Sequence, residues 1–372
     1  MRLRRPPGHT ARPARPARRA PCPARAPSHA ADGLGRRCQQ HGRGGRLHSR
    51  PPGLVPAVAA PGRSHPVPRH LPAAGPETAV KAALWLLDGT SLPGLRELVL
   101  ALDGKVARRS GDRTAGTRAL HRVSAFLVRE GLTLSQEPCG AKSNQIAALP
   151  RLLDRLVLEM AVITMDAAGC QTAIVQALRE AGADYVLALK RNQRTLHREV
   201  KAAFDDAERG AFAPEGEDRC ETVEHNGGSR ERRTCTVLGG PGLCEWVADP
   251  EAWPGLHSLV RVQAERTGPR GRRQRSVRYY ISSRPVEAEA LLELVRGHWG
   301  VENGLHRTLD VQFREDDCGI RTGHAPAVMG ILCRTALNMV RTVQQNLSSF
   351  VSIGLLRDHI GRQPWLLAPS LP

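Results

Sequence analysis

The sequence predicts an α/β fold in which a mixed sheet is flanked by helices, and three observations support this prediction. Short apolar runs that stop at a polar turn indicate buried strands. Between them lie segments whose apolar residues recur at helical spacing. Two further runs are separated by a short turn, as in a β-hairpin. These features extend from about residue 81 to about residue 345, so we expect one folded domain over 81–345.

The first half of this domain carries its elements in a regular order. The apolar run at 98–102 is followed by Asp103-Gly104-Lys105, a turn signal that closes a central strand. In chain order we expect a helix at 81–87, strands at 98–102, 119–128 and 131–137, a helix at 143–158, a strand at 161–165, a helix at 170–181 and a strand at 184–189. This order of elements is that of ribonuclease-H-like domains.

The pattern changes after residue 195. Polar loops and alternating runs replace the continuous apolar strands, which predicts a β-rich insertion over 195–280, placed before the last helices of the domain. The expected elements are a helix at 195–206, strands at 234–238, 258–265 and 276–281, and helices at 285–296, 301–310 and 325–347. Residues 346–372 are interpreted as a C-terminal tail.

The first 80 residues differ from the rest of the chain in composition. They hold 15 Arg, no Lys and two acids, a net charge of +13, together with 15 of the 28 prolines. Too few apolar residues are present to offset the entropy of ordering, so we expect disorder over 1–80. Arg, Pro, Ala and Gly are encoded by GC-rich codons, and we interpret the segment as frameshifted or mis-started. The alternative is a basic arm that binds nucleic acid without folding.

Cysteine usage and hydropathy bear on the compartment. The nine cysteines include no Cys-x-x-Cys pair, which is typical of reduced thiols in a cytoplasmic protein. Zinc-ligand residue types occur at Cys22, Cys38, His41 and His48, but their spacing fits no regular zinc finger. No run of about 18 apolar residues is present, which excludes a membrane-spanning helix. We expect a cytoplasmic protein.

Two aspartates occupy equivalent positions in the predicted sheet. Asp103 and Asp166 are each the first polar residue after a buried strand, and each is followed by small residues and a turn. Ligands bind at the carboxyl ends of such strands, where two carboxylates repel each other unless a cation lies between them. Mg²⁺ prefers such hard oxygen ligands. For either residue alone, a turn or a helix cap is the competing interpretation.

A third acid lies far downstream, in the segment from Arg296 to His306. On a regular helix His298, Glu302, Leu305, His306 and Leu309 share one face. Polar residues on a buried face need partners, which makes Glu302 a candidate for the same site. Periodicity alone slightly favours the alternative, a surface acid near a helix start.

Six ordered blocks between about residues 98 and 345 carry a resemblance to a known family. They are Leu-Asp-Gly-Lys at 102–105, Leu-His-Arg-Val-Ser-Ala-Phe at 120–126, Lys-Ser-Asn-Gln-Ile at 142–146, Thr-Met-Asp-Ala-Ala-Gly-Cys-Gln at 164–171, Asp-Tyr-Val-Leu-Ala-Leu-Lys-Arg-Asn-Gln at 184–193, and His-Trp-Gly-Val-Glu-Asn at 298–303 with Asp-Val-Gln-Phe-Arg-Glu-Asp at 310–316. The chain resembles a DDE insertion-sequence transposase, of the branch that includes the H-repeat-associated proteins.

This resemblance implies a DNA transposase that cuts transposon ends and joins them to target DNA. Asp103, Asp166 and Glu302 are then the DDE triad, holding two Mg²⁺ ions, or Mn²⁺ in their place. DNA is the implied partner, bound by a homodimer in the bacterial nucleoid. Glu315 or Asp316 is the alternative third acid. The family's Tyr, Arg and Lys around the third acid are replaced here by Val295, His298 and Leu309.

Basic, polar and aromatic residues near the acids are candidates for DNA contacts. Most would bind phosphates, and an aromatic side chain beside the third acid would stack on an unpaired base. The candidates are Lys105, Lys190, Asn192, Gln193, Arg296, His298 and Trp299. Ordinary solvated loop charge, and core packing for the tryptophan, are the competing interpretations.

Two other functions fit the same residues. A nuclease of the ribonuclease-H-like fold would cut DNA without joining it, and an inactive transposase remnant would bind DNA without cutting it. A strand-transfer assay separates the nuclease from the transposase. The missing N-terminal associated domain of the family favours the remnant.

Overall fold

The computed structural model describes residues 98–370, apart from 113, 115, 141–144, 270 and 348. The expectations of disorder or a frameshift over 1–80, of the helix at 81–87 and of zinc-ligand residues near Cys22 lie outside the described residues.

Nine strands form one mixed sheet in the described part of the chain. They are β1 (Leu98–Val106), β2 (His121–Leu127), β3 (Leu132–Pro138), β4 (Ala161–Met165), β5 (Asp184–Leu189), β6 (Gly216–Asn226), β7 (Ser229–Gly239), β8 (Ser258–Thr267) and β9 (Arg273–Ser282). Their order across the sheet is β3-β2-β1-β4-β5-β9-β8-β7-β6. The predicted α/β class, a mixed ribonuclease-H-like sheet flanked by helices, is confirmed.

The pairing of the strands divides the sheet into two parts. Strands β1, β4 and β5 run parallel, with β2 and β3 added antiparallel as a hairpin. Strand β9 pairs antiparallel with β5, and β8, β7 and β6 continue outward from it as an antiparallel meander. The strands of the predicted β-rich segment therefore extend the central sheet and do not form a second one. Strand β6 has no counterpart among the sequence predictions.

The helices cover both faces of the sheet. They are α1 (Gln145–Leu153), α2 (Thr172–Glu180), α3 (Arg194–Glu208), α4 (Pro241–Val247), α5 (Ala288–Gly300), α6 (Arg307–Phe313), α7 (Ala325–Gln345) and α8 (Ile353–Arg362), with a π-helical stretch at Val301–His306 joining α5 to α6. Helices α1 to α4 pack on one face through a core that includes Leu152, Ile174, Val200 and Leu243. Helix α5 packs on the other face through Leu291 and Leu292.

Residues after 345 also take up regular structure. Helix α8 packs its buried Leu356 against Val340 and Val343 of α7, and a 3₁₀ helix follows at Pro364–Ser370. The segment interpreted as a tail therefore contributes a small apolar cluster. None of the helices that the structure describes has the length and apolar character needed to cross a membrane.

Candidate active site

The register of two parallel strands brings the first two acids together. Leu102 of β1 pairs with Met165 of β4, so Asp103 and Asp166 follow at equivalent positions. Both side chains line one small cavity of about 10 Å³. One detail differs from the sequence prediction, because β1 does not end before Asp103. Its pairing with β4 ends there, whereas its pairing with β2 continues to Val106, so Asp103 lies inside the strand opposite Ser124.

Backbone amides orient both carboxylates. Asp103 Oδ1 accepts a hydrogen bond from the Gly104 N–H at 2.8 Å. Asp166 Oδ1 accepts from the Ala168 N–H at 3.0 Å. The turn after β4 thus holds the second acid at the carboxyl edge of the sheet, where the parallel strands of an α/β sheet present their ligand sites.

The third acid lies on the π-helical stretch between α5 and α6. A π-helix hydrogen-bonds from residue i to i+5, and such stretches are frequent at functional sites. The expected regular helical face is therefore interrupted. Leu305 and Leu309 are buried as predicted, but Val301 takes the adjoining core position and the Glu302 side chain is exposed.

Both Asp166 and Glu302 interact electrostatically with Asp103. Burial raises the pKa of Asp103, against the lowering effect of the Gly104 N–H, and the negative charges of Asp166 and Glu302 add to the rise, which brings the pKa to about 7. Ionising Asp103 is therefore costly unless a cation offsets the charge.

The two histidines of the predicted helical face contact the strands that carry the aspartates. His306 Nδ1 lies 3.5 Å from Asp103 Oδ2. Burial lowers the pKa of His306 to about 3, helped by the positive charges of Arg334 and Lys105, so the ring is neutral and does not compensate Asp103. His298 Nδ1 lies 3.1 Å from Thr164 Oγ1, and burial lowers the pKa of His298 too. Neither imidazole supplies a positive charge to the acids at neutral pH.

The donor set fits a hard divalent cation, although the carboxylates are not yet arranged as ligands. Within the described residues no three His, Cys, Asp or Glu side chains lie close enough to hold one metal ion. Asp103 and Asp166 line the same cavity, whereas the side chain of Glu302 is exposed to solvent and affects Asp103 only through its charge. Carboxylate oxygens are what Mg²⁺ and Mn²⁺ prefer, and a buried Asp103 beside like charges favours a bound cation.

Three of the predicted DNA contacts are already engaged within the protein. Lys105 is 8% exposed, and its Nζ lies 2.7 Å from Asp310 Oδ1 and 3.0 Å from Asp316 Oδ1. The amides of Asn192 and Gln193 donate to the carbonyl oxygens of Ala167 and Cys170, at 2.6 and 3.0 Å. Lys105 is therefore left out of the proposed phosphate contacts. The two amides fix the loop that follows Asp166.

Three of the other candidates are at least partly exposed. Lys190 is exposed just after β5, and Arg296 pairs with Glu224 of β6. The Trp299 side chain is 38% exposed. The Arg278 guanidinium lies over its ring, 4.0 Å from the centroid. One face of the tryptophan ring is thus covered by a cation.

A buried ion-pair cluster lies beneath the site and was not predicted. Glu315 lies 3.0 Å from Arg122 and 2.7 Å from Arg334, and all three side chains are 3% exposed. Arg334 also donates to Ser124 Oγ at 3.2 Å, opposite Asp103 in the sheet. The polar residues Arg334, Asn338 and Arg341 share one face of α7 with spacing i, i+4 and i+7, which is the signal that the sequence offered.

This cluster bears on the alternative third acids. Glu315 has two guanidinium partners, and Asp316 is held by Lys105 and, at 3.1 Å, by Arg108. Both carboxylates therefore have counter-ions inside the protein. Glu302 is the acid that remains near Asp103 without such a partner among the described residues.

Comparison with known proteins points to one family. The family model described as "Transposase DDE domain" matches residues 85–339. "Putative transposase YncI" of Escherichia coli O157:H7 is 36% identical over 246 residues, 65% of this chain and 62% of the relative. "H repeat-associated putative transposase YhhI" of Escherichia coli K12 is 35% identical over 245 residues, 65% of this chain and 64% of the relative. The chain thus spans somewhat less than two thirds of these relatives.

Proposed function

The chain belongs to the family of DDE transposases, and from this membership we propose that it is a DNA transposase that cleaves DNA at transposon ends and transfers the ends into target DNA. The observation that carries the proposal is the pair of aspartates at the carboxyl edge of β1 and β4, where burial and the charges of Asp166 and Glu302 raise the pKa of Asp103 to about 7. DNA is the proposed partner.

We propose Asp103, Asp166 and Glu302 as the ligands of two Mg²⁺ ions, with Mn²⁺ able to substitute. When bound, such ions activate the attacking oxygen and stabilise the leaving oxygen of a phosphodiester. The loop after Asp166, fixed by Asn192 and Gln193, keeps its carboxylate in place. Glu302, on its π-helical stretch, has an exposed side chain and would have to turn inward for ligation.

Two in-line displacements at phosphorus account for the reaction. In the first, water attacks the phosphodiester at the element's end, its proton passes to solvent, and the DNA strand leaves as a 3′-hydroxyl. In the second, that 3′-hydroxyl attacks a target phosphodiester and displaces a target 3′-oxygen, so one bond forms for each bond broken. No protein nucleophile and no ATP are needed. Lys190 and His298 are proposed to contact phosphates, and Trp299 to stack on an unpaired base, whereas Arg296 is left out because it pairs with Glu224.

We also propose that two copies act together on DNA, because each chain carries one set of three acids and an element has two ends. A homodimer in the bacterial cytoplasm, associated with the nucleoid, is the arrangement this implies.

The test uses the full chain, supercoiled plasmid and a labelled duplex oligonucleotide with free 3′-hydroxyl ends. With Mg²⁺ or Mn²⁺ present, we expect nicking of the plasmid and joining of the label to it, both abolished by Asp103→Asn and Asp166→Asn. Nicking without joining would assign the chain to the nucleases. DNA binding without nicking in either metal would identify an inactive remnant and overturn the proposal.

A further inference from the structure

Half of the outer meander projects past the carboxyl edge of the sheet. Strand β5 ends at Leu189, which pairs with Tyr279 of β9. The residues of β9 before Tyr279, and those level with them on β8, β7 and β6, have no further strand beside β9 within the part of the chain that the structure describes. We call this part, residues 220–235, 262–269 and 271–278, the blade. With six residues of β9 beyond Leu189, it extends about 20 Å past the edge that carries Asp103 and Asp166.

Side-chain alternation shows which face of the blade lies on the side of the acids. Val162 of β4 belongs to the cluster packed against α5, and Thr164, two residues on, contacts His298 of α5. Asp166 continues that alternation, so it points to the α5 side. Cys220, Cys235, Val262 and Tyr280 belong to the same cluster. We call this side of the blade the inner face, and the opposite side the outer face.

The inner face carries two exposed arginines without carboxylate partners. Arg278 lies two residues before Tyr280 on β9, and Arg266 lies four residues after Val262 on β8, so each arginine is on the same face of the sheet as that residue. Both are exposed, and neither forms an ion pair with any residue that the structure describes. Arg278 stacks on Trp299, three residues before Glu302. The unpaired positive charge of the inner face therefore begins next to the acids and continues outward.

The other charges of the inner face are compensated. Arg233 and Arg296 both pair with Glu224, and Arg233 pairs with Glu231 as well. Arg266 and Arg278 are therefore the groups available to an external anion. Their positions are separated by four residues along β8, or about 13 Å, which suits two separate phosphates of one duplex.

The outer face is basic too, but it faces away from the acids. Arg232 pairs with Glu221 at 2.7 Å and Arg275 with Glu265 at 2.8 Å, around a cavity of about 290 Å³. Arg273, and Arg219 on β6 just before the blade begins, are exposed on the same side of the sheet. Position relative to the acids, and not charge alone, distinguishes the two faces.

We propose that the inner face of the blade, through Arg266 and Arg278, binds the phosphate backbone of the DNA duplex that flanks the scissile bond. This inference rests on the proposed function, since it names the surface that holds the DNA outside the active site. A duplex bound to the inner face lies next to Glu302 and Trp299, and one of its ends reaches the carboxyl edge of the sheet. The recognition is through backbone phosphates and carries no sequence preference.

The test compares matched double variants of the full chain. Arg266→Gln with Arg278→Gln removes two charges from the inner face, and Arg219→Gln with Arg273→Gln removes two from the outer face. Binding of a labelled random-sequence 40-bp duplex is followed by fluorescence anisotropy over a range of salt concentrations. The inner variant should bind at least about tenfold more weakly, with a salt slope reduced by about 2. The outer variant should stay within about twofold of wild type.

A conservative variant guards against misfolding. Arg266→Lys with Arg278→Lys keeps both charges and should retain most of the affinity. Equal loss in the inner and outer variants, or no loss in the inner variant, would overturn the inference. The plasmid-nicking assay on the wild-type protein separates the two proposals. If the wild type nicks DNA but the inner variant binds the duplex as well as the wild type, only the proposed DNA-binding surface is refuted. If the inner variant binds more weakly but the wild type does not nick DNA, only the transposase function is refuted.

Discussion

Two acids of this protein, Glu315 and Asp103, are both largely shielded from solvent but lie under opposite electrostatic conditions. Burial raises the pKa of the Glu315 carboxyl, but Arg334 and Arg122 together hold it below its usual value. Burial also raises the pKa of Asp103, and there the neighbouring charges of Asp166 and Glu302 raise it further, to about 7. Glu315 has its counter-ions within the chain. Among the residues that the structure describes, Asp103 has no counter-ion that is charged at neutral pH, because His306 is neutral.

On the proposed function, this difference separates an acid that stabilises the fold from an acid that binds a metal ion. Glu315 joins β2 to α7, and Lys105 joins β1 to the residues around Asp310 and Asp316. These pairs fix the strand that carries Asp103 and the helix that carries Glu302 relative to each other. On the proposed function, an external cation offsets the charge that Asp103 acquires when it ionises. The following predictions test this contrast from its largest expected effect to its smallest.

Breaking the compensated group should have the largest effect on stability. Arg334→Met leaves Glu315 buried with one partner fewer, and we expect the free energy of unfolding to fall by about 3–5 kcal/mol, measured by urea denaturation. Arg357→Met removes an exposed pair with Asp358 and is the control, with an expected change below about 1 kcal/mol. Similar small losses for both variants would show that the buried cluster does not support the fold.

Replacing Asp103 by a neutral residue should stabilise the protein, whereas Arg334→Met destabilises it. The folded-state pKa of about 7 lies above the ordinary 3.8, so the wild-type protein loses stability as pH rises from about 4 to about 7. Asp103→Asn has no such loss. In metal-free buffer its advantage should grow across that window to a limit of about 4 kcal/mol and then level off. A difference that does not vary with pH would contradict the uncompensated charge.

Divalent metal should stabilise the wild-type protein through the same acids. At a Mg²⁺ or Mn²⁺ concentration near 100 times the dissociation constant, the gain is about 2.7 kcal/mol, read as a rise in melting temperature. Asp103→Asn and Asp166→Asn should lose this response, whereas Arg357→Met should keep it. An undiminished metal response in both aspartate variants would place the metal elsewhere.

The loop that positions Asp166 should give the smallest effect. Asn192→Ala removes the hydrogen bond to the Ala167 carbonyl and should cost about 1 kcal/mol of stability. Because the loop is loosened, the metal-induced rise in melting temperature should also shrink. Asn192→Ala with a full metal response would show that the amide has no positioning role.

The sequence predicted the central strands well, because their burial on both faces produces continuous apolar runs. Strands β4 and β5 begin and end at the predicted residues, 161–165 and 184–189. Strand β6 was missed because it lies at the sheet edge and carries charged residues such as Glu221 and Glu224. Its pairing with β7 and not its own composition defines it.

The site was predicted in part, for a related reason. Asp103 and Asp166 each follow an apolar run, and local sequence shows that directly. The partners of Lys105 and Arg122 lie about 200 residues away in the chain, so no local pattern announces them. The π-helical stretch at Val301–His306 was missed because apolar spacing near 3.6 fits a regular helix. That stretch decides where the Glu302 side chain points.

A structure determined by crystallography after soaking in Mn²⁺, with anomalous scattering to locate the ions, tests the central claim most directly. The account predicts Mn²⁺ bound to oxygens of Asp103 and Asp166 at about 2.0–2.3 Å, with the Glu302 carboxylate turned inward to the same site. Glu315, Asp310 and Asp316 should keep their Arg and Lys partners. Manganese at Glu315 or Asp316, or an occupied site with Glu302 still in solvent, would contradict the assignment of the three acids.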